Sequence, residues 1–339
     1  MNVFLTCAGR RNYLLKFFQE ALGNQGKVFA GDATIEAPTL QEADESFLLP
    51  RIDRSEYFEK LLDICQQKQV RLLIPLNDLE LPYLAKQRDR FLTIGTIPVV
   101  SSPEVIDICF DKFATFQFLR NIGISAPETY LSLAEARAAI ERGEITFRLV
   151  VKPRWGSASI GIEYPEDDEE LELAYRFVKK SIMKSFLAEV SSSDRDRCIL
   201  IQERLIGQEH GLDIINNLDG SYITTFVKRK LTMGAGETDR AVTLENQELK
   251  QLGEKIGQKL GHIGNLDCDV IVGQQGLCVL ELNPRFGGGY PFSQMAGANI
   301  PAALIAWANG EEPDPSWLTV QGNITSFKCD RLVTVRSKA

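Results

Sequence analysis

The first hundred residues alternate short apolar runs with amphipathic stretches, and that alternation limits the possible folds more than any single motif. VFLTCAG (3–9), KVFAGDAT and VRLLIPLND (70–78) read as buried strands. Between them, RNYLLKFFQEALGN carries Tyr13, Leu14, Phe17, Phe18, Ala21 and Leu22 at helical spacing, with Gly23 placed to end the helix. SEYFEKLLDICQQKQ sets Phe58, Leu61, Leu62 and Cys65 on one stripe. Strands alternating with helices imply a parallel, doubly wound α/β sheet, whose ligands sit beyond the carboxyl ends of its strands. The first such turn, CAGRR, has only Gly9 and lacks the three-glycine dinucleotide pattern. Arg10 and Arg11 offer an anion contact there, or simply a solvated helix face. LND at 76–78 reads equally as a functional loop or as a turn.

From about residue 102 the pattern changes. SSPEVIDICFDKFATFQFLRNIGI is helical, with Ser102 as cap, Pro103 as first residue and Gly123 as its end. ITFRLVVKPRWGSASIG is a strand running into a loop of small residues, and LELAYRFVKKSIMKSFL is a helix. ILIQERLIG is again a strand, and LDIINNLDGSYITTFVKRK is a hairpin with an Asp-Gly turn at 219–220. NQELKQLGEKIGQKLG turns Leu249, Leu252, Ile256 and Leu260 inward, and LDCDVIVGQQGLCVLELN closes as a second hairpin. This half is α+β with antiparallel strands.

Two stretches carry chemistry. In LELNPRFGGG (280–289), alternation sends Leu280 and Leu282 to one face and Glu281, Asn283 and Arg285 to the other. Glu and Asn are oxygen donors suited to a hard cation, and Arg is a fork for phosphate. Asp267 faces Glu281 across the hairpin if Val272 opposes Gly276 around a three-residue GQQ loop with Gly276 left-handed; a two-residue loop turns Asp267 to the leucine side. The second stretch has Lys152 closing a strand ahead of WGSASIG (155–161), where Gly156, Ser157, Ala158 and Ser159 let backbone N–H groups approach phosphate oxygens. Gln202 and Glu203 sit where a strand breaks and could present its backbone to an adenine edge, with Glu209 accepting from ribose hydroxyls. Taken singly, the small-residue loop reads equally as a bland turn, while the Gln202–Glu209 stretch reads first as a surface turn and Glu281-x-Asn283-x-Arg285 as a solvated strand face.

Net charge is −8, which disfavours a general nucleic-acid surface, so any polyanion must meet a local basic cluster. No apolar run approaches the roughly 18 residues of a membrane helix. MNVFLTCAGRR does not read as a signal peptide. The seven cysteines lack metal-ligand spacing and read as reduced core residues of a cytoplasmic protein. His210 reads as a surface residue, and neither it nor His262 is assigned a catalytic role.

Together, Asp111-Lys112, VVKPRWGSASIG, IQERLIGQE, VKRK…GAGET and LELNPRFGGG, in this order, resemble the ATP-grasp enzymes. The likeness is to one half of the carbamoyl-phosphate synthase large chain and to small amino-acid and carboxylate–amine ligases. It implies an N-terminal α/β domain over 1–105, a linker helix and lid subdomain over 106–200, and a C-terminal subdomain over 201–339 with the metal and phosphate site. ATP would lie between two α+β subdomains under a glycine-rich lid. By that likeness Lys112 and Lys152 touch the phosphates, Glu203 sits at the adenine hinge and Glu209 at the ribose. Asp267, Glu281 and Asn283 would hold magnesium or manganese, with Asp267 the least secure because some relatives replace it. Arg285 would hold the transferring phosphoryl group, and Arg229 or Lys230, with GAGET, would help at the reacting carboxylate.

The implied reaction turns a carboxylate into an acyl phosphate that an amine then opens, with ATP converted to ADP and phosphate. Its partners are small-molecule carboxylates and amines, without nucleic acid or membrane, and the likeness favours a homodimer. Two rivals share the ATP site: a small-molecule kinase that stops at the phosphoester, and a nucleotide-binding protein without turnover. The acceptor pocket is expected around Gly9–Arg11, Asn77–Glu80, GAGET and FGGGYP, whose glycines permit close approach without naming what approaches.

Overall fold

A computed structural model describes residues 1–156, 161–185, 187–234 and 236–335. The chain divides into two compact units: one comprises residues 1–106, 211–267 and 283–339, the other residues 107–210 and 268–282.

The first unit opens with β1 (Asn2–Thr6), α1 (Asn12–Leu22), β2 (Val28–Asp32), β3 (Glu45–Leu48), α2 (Glu56–Gln67) and β4 (Val70–Pro75). Two one-turn helices, α3 (Leu81–Lys86) and α4 (Arg88–Thr93), lead to β5 (Ile97–Pro98). The five strands are parallel in the order β3-β2-β1-β4-β5. The topology therefore reverses between β1 and β4, and the carboxyl ends of those strands carry Cys7–Arg11 and Leu76–Glu80. α1 buries Leu14, Leu15, Phe18 and Leu22, and Gly23 ends it at φ 54 with its N–H returning to Gln19 O.

The SSPEV stretch forms two helices, α5 (Pro103–Phe110) and α6 (Lys112–Asn121), because Asp111 leaves the helical conformation and caps the second with its carboxylate. In the second unit, β6 (Thr129–Tyr130), α7 (Leu133–Glu141), β7 (Leu149–Pro153), α8 (Asp168–Met183), α9 (Leu187–Val190) and β8 (Ile199–Glu203) follow. Its three strands are antiparallel in the order β6-β8-β7. Leu149, Val151, Ile199 and Ile201 from this sheet and Leu171, Val178 and Ile182 from α8 form its core.

β9 (Gln208–Asn216), β10 (Tyr222–Gly234), β11 (Glu237–Leu244), α10 (Gln247–Leu260), β12 (Gly264–Gly273) and β13 (Gly276–Asn283) come next. After α11 (Tyr290–Met295) and α12 (Ile300–Asn309), the last strand is β14 (Thr325–Phe327). The six-stranded sheet runs β13-β12-β9-β10-β11-β14, antiparallel through β10, β11 and β14.

Two hairpin expectations change in detail. The first turn spans five residues, 217–221, with Asn217 Oδ1 receiving the N–H of Asp219 and of Ser221, rather than closing as a two-residue Asp-Gly turn. The second connection is Gln274–Gln275, one residue shorter than the GQQ loop, and Gly276 takes the left-handed conformation at φ 93.

Candidate functional site

The second unit builds one cluster around Lys152. β7 alternates so that Leu149, Val151 and Pro153 are buried while Lys152 points the other way. Burial of its ammonium pushes Lys152 down to about 8; Lys112 adds to the depression and Glu281 opposes it. Lys112 is the first residue of α6, and its Nζ donates to the Gly156 carbonyl. Asp111 fixes the start of that helix, accepting from Phe113 N at 2.9 Å and Ala114 N at 3.4 Å. The same carboxylate is gripped by Arg154, with Nη2 at 2.6 Å and Nε at 2.8 Å, and the guanidinium also lies 4.5 Å from the Trp155 ring. Arg154 was not singled out from sequence, although its place between Lys152 and the small-residue loop was the available signal.

Gly156 has φ 96, and a Cβ there would come 2.5 Å from Leu187 Cδ2. Ser157, Ala158 and Ser159 lie outside the described residues. Gln202 is buried in the three-stranded sheet and donates its amide to Thr129 Oγ1 at 2.8 Å. β8 ends at Glu203, as the strand break requires, but the N–H groups of Glu203 and Arg204 already donate to the Glu128 and Arg148 carbonyls. Glu209 is half-buried on β9, and the adjacent His210 is buried, not a surface residue. His210 opens the run of β9 that is buried without alternation through Asn216, and its Nδ1 lies 3.0 Å from Gln208 O.

In the first unit, Arg285 lies past the end of β13, because Pro284 cannot continue a donor ladder. Its guanidinium forks onto Asp78, Nε to Oδ1 at 2.7 Å and Nη2 to Oδ2 at 2.8 Å, with both side chains about nine-tenths buried. Its Nη1 donates to Phe286 O at 3.1 Å, and Arg11 Nη1 donates to the same carbonyl at 2.6 Å. The reversal point of the parallel sheet thus places Arg11 from one strand end and Asp78 from the other on the Arg285–Phe286 loop.

The glycine run has a packing reason. A Cβ on Gly287 would lie 2.1 Å from Asp267 Cγ, on Gly288 3.1 Å from the Glu237 carboxylate, and on Gly289 2.7 Å from Lys228 Cε. Burial holds Asp267 above its ordinary value, against the pull of Arg285 and Lys230. Burial also raises Glu237, but Lys328, 2.8 Å away, together with Arg11 and Arg285, outweighs it and leaves the group below its usual value.

β10 turns Lys228 and Lys230 inward and Arg229 to solvent, since successive strand residues face opposite ways. Lys228 is fully buried, with its Nζ 2.5 Å from Asp213 Oδ2, which also accepts from Ser293 Oγ at 2.5 Å. Lys228 and Asp213 were missed from sequence, whereas Asp78 was named only within the LND turn and the Asn77–Glu80 stretch. The alternation of K-R-K could have exposed Lys228; nothing local marks Asp213. Asn283 closes β13 and is half-buried, as is Glu281. Among the described residues no group of three His, Cys, Asp or Glu side chains gathers as a metal site, and no helix is long and apolar enough to cross a membrane.

Residues 3–100 match the PylC-like N-terminal domain, and residues 195–327 match the family described as ATP-grasp in the biosynthetic pathway with Ter operon. The fold is ATP-grasp. A carbamoyl phosphate synthase large chain from Methanosphaerula palustris is 26% identical over 265 residues, which are 74% of this chain and 22% of that one. The chain therefore spans about a fifth of that relative's length. Among solved structures, L-amino acid ligase from Bacillus licheniformis superposes with a TM-score of 0.72 at 18% identity, covering 96% of this chain and 79% of that one. The biotin carboxylase domain of Hydrogenobacter thermophilus 2-oxoglutarate carboxylase, solved with MgADP, ADP and bicarbonate, gives 0.72 at 17% identity, covering 96% and 73%. ATP-grasp architecture thus accounts for the parallel N-terminal sheet and the antiparallel sheet that follows it.

Proposed function

We propose that this ATP-grasp chain is an ATP-dependent carboxylate–amine ligase working through an acyl phosphate. The observation that carries the reading is the lysine pair of the second unit: Lys112 Nζ meets the Gly156 carbonyl, and Lys152 turns away from the buried side of β7 with its ammonium desolvated near Lys112, Glu281 opposing the depression. A triphosphate is the counter-charge that two such lysines suit.

In this reading Lys112 and Lys152 bind phosphate oxygens, and Gly156, whose carbonyl meets Lys112, lets the backbone approach them. The segment after Glu203 borders the adenine, and Glu209 accepts from the ribose. Because the N–H groups of Glu203 and Arg204 are taken, adenine pairing falls to the backbone beyond them. Glu281 and Asn283 would hold magnesium, since their hard oxygen donors fit that ion; Asp267 is left out of the set, because the two-residue connection turns it to the leucine side. Magnesium, when bound, neutralises charge on the phosphate oxygens. Arg285, held rigid by Asp78, orients the transferring phosphoryl group while a carboxylate oxygen attacks the γ-phosphorus and ADP leaves. An amine then attacks the acyl carbon, phosphate departs, and the amine loses its proton. Lys230, on the inward face of β10, is better placed than the solvent-facing Arg229 to steady the reacting carboxylate. Activation of this kind demands exclusion of water, which would hydrolyse the acyl phosphate.

The test is to incubate the protein with Mg-ATP, pooled carboxylates and pooled amines, and to follow ADP and phosphate beside Glu281→Gln. Substrate-dependent ADP release that the variant loses, with an amide product by mass spectrometry, is expected. A phosphoester product would make the chain a kinase. Nucleotide binding without turnover across the pools would count against catalysis.

A further inference from the structure

Arg11 and Tyr13 lie two residues apart at the start of α1, where the parallel sheet reverses; Arg11 belongs to the stretch expected to border the acceptor, and Tyr13 has no role in the reading above. Arg11 Nη1 and Arg285 Nη1 both donate to Phe286 O, at 2.6 and 3.1 Å, which keeps the two guanidiniums within about 6 Å of each other. Arg285 is matched by the Asp78 fork, whereas among the described residues Arg11 makes no ion pair. The Tyr13 hydroxyl is buried and has no hydrogen-bond partner among the described residues. A buried donor left unmade costs about 1–3 kcal/mol, so such a group calls for a partner. Its ring is fixed by Phe17 at 6.2 Å, and Lys328 Nζ lies 5.9 Å from its centroid.

We propose that Arg11 and the Tyr13 hydroxyl form an oxyanion subsite that binds a carboxylate or phosphate group of the acceptor substrate beside Arg285. The inference rests on the ligase reading, because it takes Arg285 as the neighbour of the reacting centre. An oxyanion between the two side chains gives the phenol the acceptor it lacks and gives Arg11 a counter-charge. Burial, first of all, keeps the phenol protonated and therefore a donor, with Glu237 and Asp267 acting in the same direction against Arg11 and Arg285. The acceptor class that follows is an anionic small molecule, and a neutral or cationic acceptor would not use these two residues.

The experiment separates the subsite from the ligase reading. The full chain, its Arg11→Met, Arg11→Lys and Tyr13→Phe variants are each saturated with Mg and a non-hydrolysable ATP analogue. Each is then titrated calorimetrically at constant ionic strength with succinate and, separately, with glycerol 3-phosphate. The expected result is binding of one probe to the wild type, weakened at least tenfold by Arg11→Met, several-fold by Tyr13→Phe and less by Arg11→Lys, with nucleotide affinity unchanged within twofold. Succinate binding assigns a carboxylate, and glycerol 3-phosphate binding a phosphate ester. Equal affinity in wild type and variants, or no probe binding while the nucleotide binds, overturns the subsite alone. Failure of the wild type to bind nucleotide overturns the ligase reading and the subsite with it.

Discussion

Asp78 and Arg285 are 207 positions apart in the chain, yet they form a forked charged pair in the first unit, two parallel bonds at 2.7 and 2.8 Å with both side chains about nine-tenths buried. Such a pair fixes the direction of a guanidinium that a lone arginine would leave free to sample several rotamers. Asp78→Asn keeps the shape and removes the charge, so ADP release with the identified acceptor should fall at least tenfold while the affinity for a non-hydrolysable ATP analogue stays within a few-fold. Equal losses in both would show that Asp78 serves the nucleotide instead. Two residues on, Glu80 makes a prediction that is independent of function. Burial raises its carboxyl to about 7, against the bonds from Tyr57, Thr6 and Cys7 that favour the charged form, with Asp32 raising it further. The folded chain therefore binds more protons than the unfolded one between 4.5 and about 7. This contribution to stability is complete below 4.5 and is lost as pH rises through 7, on the order of 3 kcal/mol over the interval. Urea unfolding of wild type and Glu80→Gln at pH 5 and pH 8 should show the wild type losing stability relative to the variant; a constant difference would mean that Glu80 does not titrate there. Residue type and alternation made Lys152, Glu281 and Arg285 legible as candidates. Asp78 and Glu80 were legible only as part of an ambiguous loop, because what gives them meaning is a contact made through the fold rather than along the chain.

α10 shows how an element can be read correctly by period and still hide its reason. The 3.6-residue stripe gives Leu249, Ile256 and Leu260, all buried, with Leu252 only half-buried at its edge, and Asn246 caps the helix through Leu249 N at 3.0 Å. The stripe also contains Gly253 and Gly257, which cost a helix about 1 kcal/mol each relative to alanine. The reason is the sheet beneath. A Cβ on Gly253 would sit 2.4 Å from Thr225 Oγ1, and one on Gly257 2.7 Å from Tyr222 Cδ2, both on β10. Close approach outweighs propensity, because overpacking a buried contact costs about 1–3 kcal/mol. Gly253→Ala should therefore destabilise the chain by about 1 kcal/mol net in urea unfolding, despite its better helix propensity. Adding Thr225→Ala should remove the penalty specific to Gly253→Ala, a coupling that a double-mutant cycle reads directly. Additive effects would place the cause outside this contact. The single apolar stretch after residue 102 hid a break of the same kind: Asp111 ends one helix and caps the next, and its second bond, to Arg154, comes from 43 positions away.

For the whole molecule, the sequence reading separates residues 1–105 from the rest, whereas the physical core of the first unit does not stop there. Val3, Leu5, Leu14, Phe18 and Leu72 share one apolar cluster with Ile215, Phe226, Phe286, Tyr290, Ile300 and Leu304. Phe18 meets Phe286 edge to face at 6.1 Å, Phe17 meets Tyr290 at 6.4 Å, and Arg71 Nη2 donates to Ala308 O at 2.8 Å. The alternating pattern of the first hundred residues reveals the parallel sheet but cannot reveal that α12, read from a different part of the chain, completes its cover. Removing residues 1–106 would leave Phe286, Tyr290, Ile300 and Leu304 without the aromatic and aliphatic surface that buries them. A fragment of residues 107–339 should therefore bind a hydrophobic dye strongly, lose near-ultraviolet circular dichroism and melt without a sharp transition, while the full chain melts cooperatively. The aromatic residues left behind are too large to be covered by local rearrangement, since each removes about 150–250 Å² from water when packed. A fragment that melts sharply and binds no dye would show instead that the antiparallel sheet and its helices form a core of their own, and that the N-terminal sheet was added onto a finished surface.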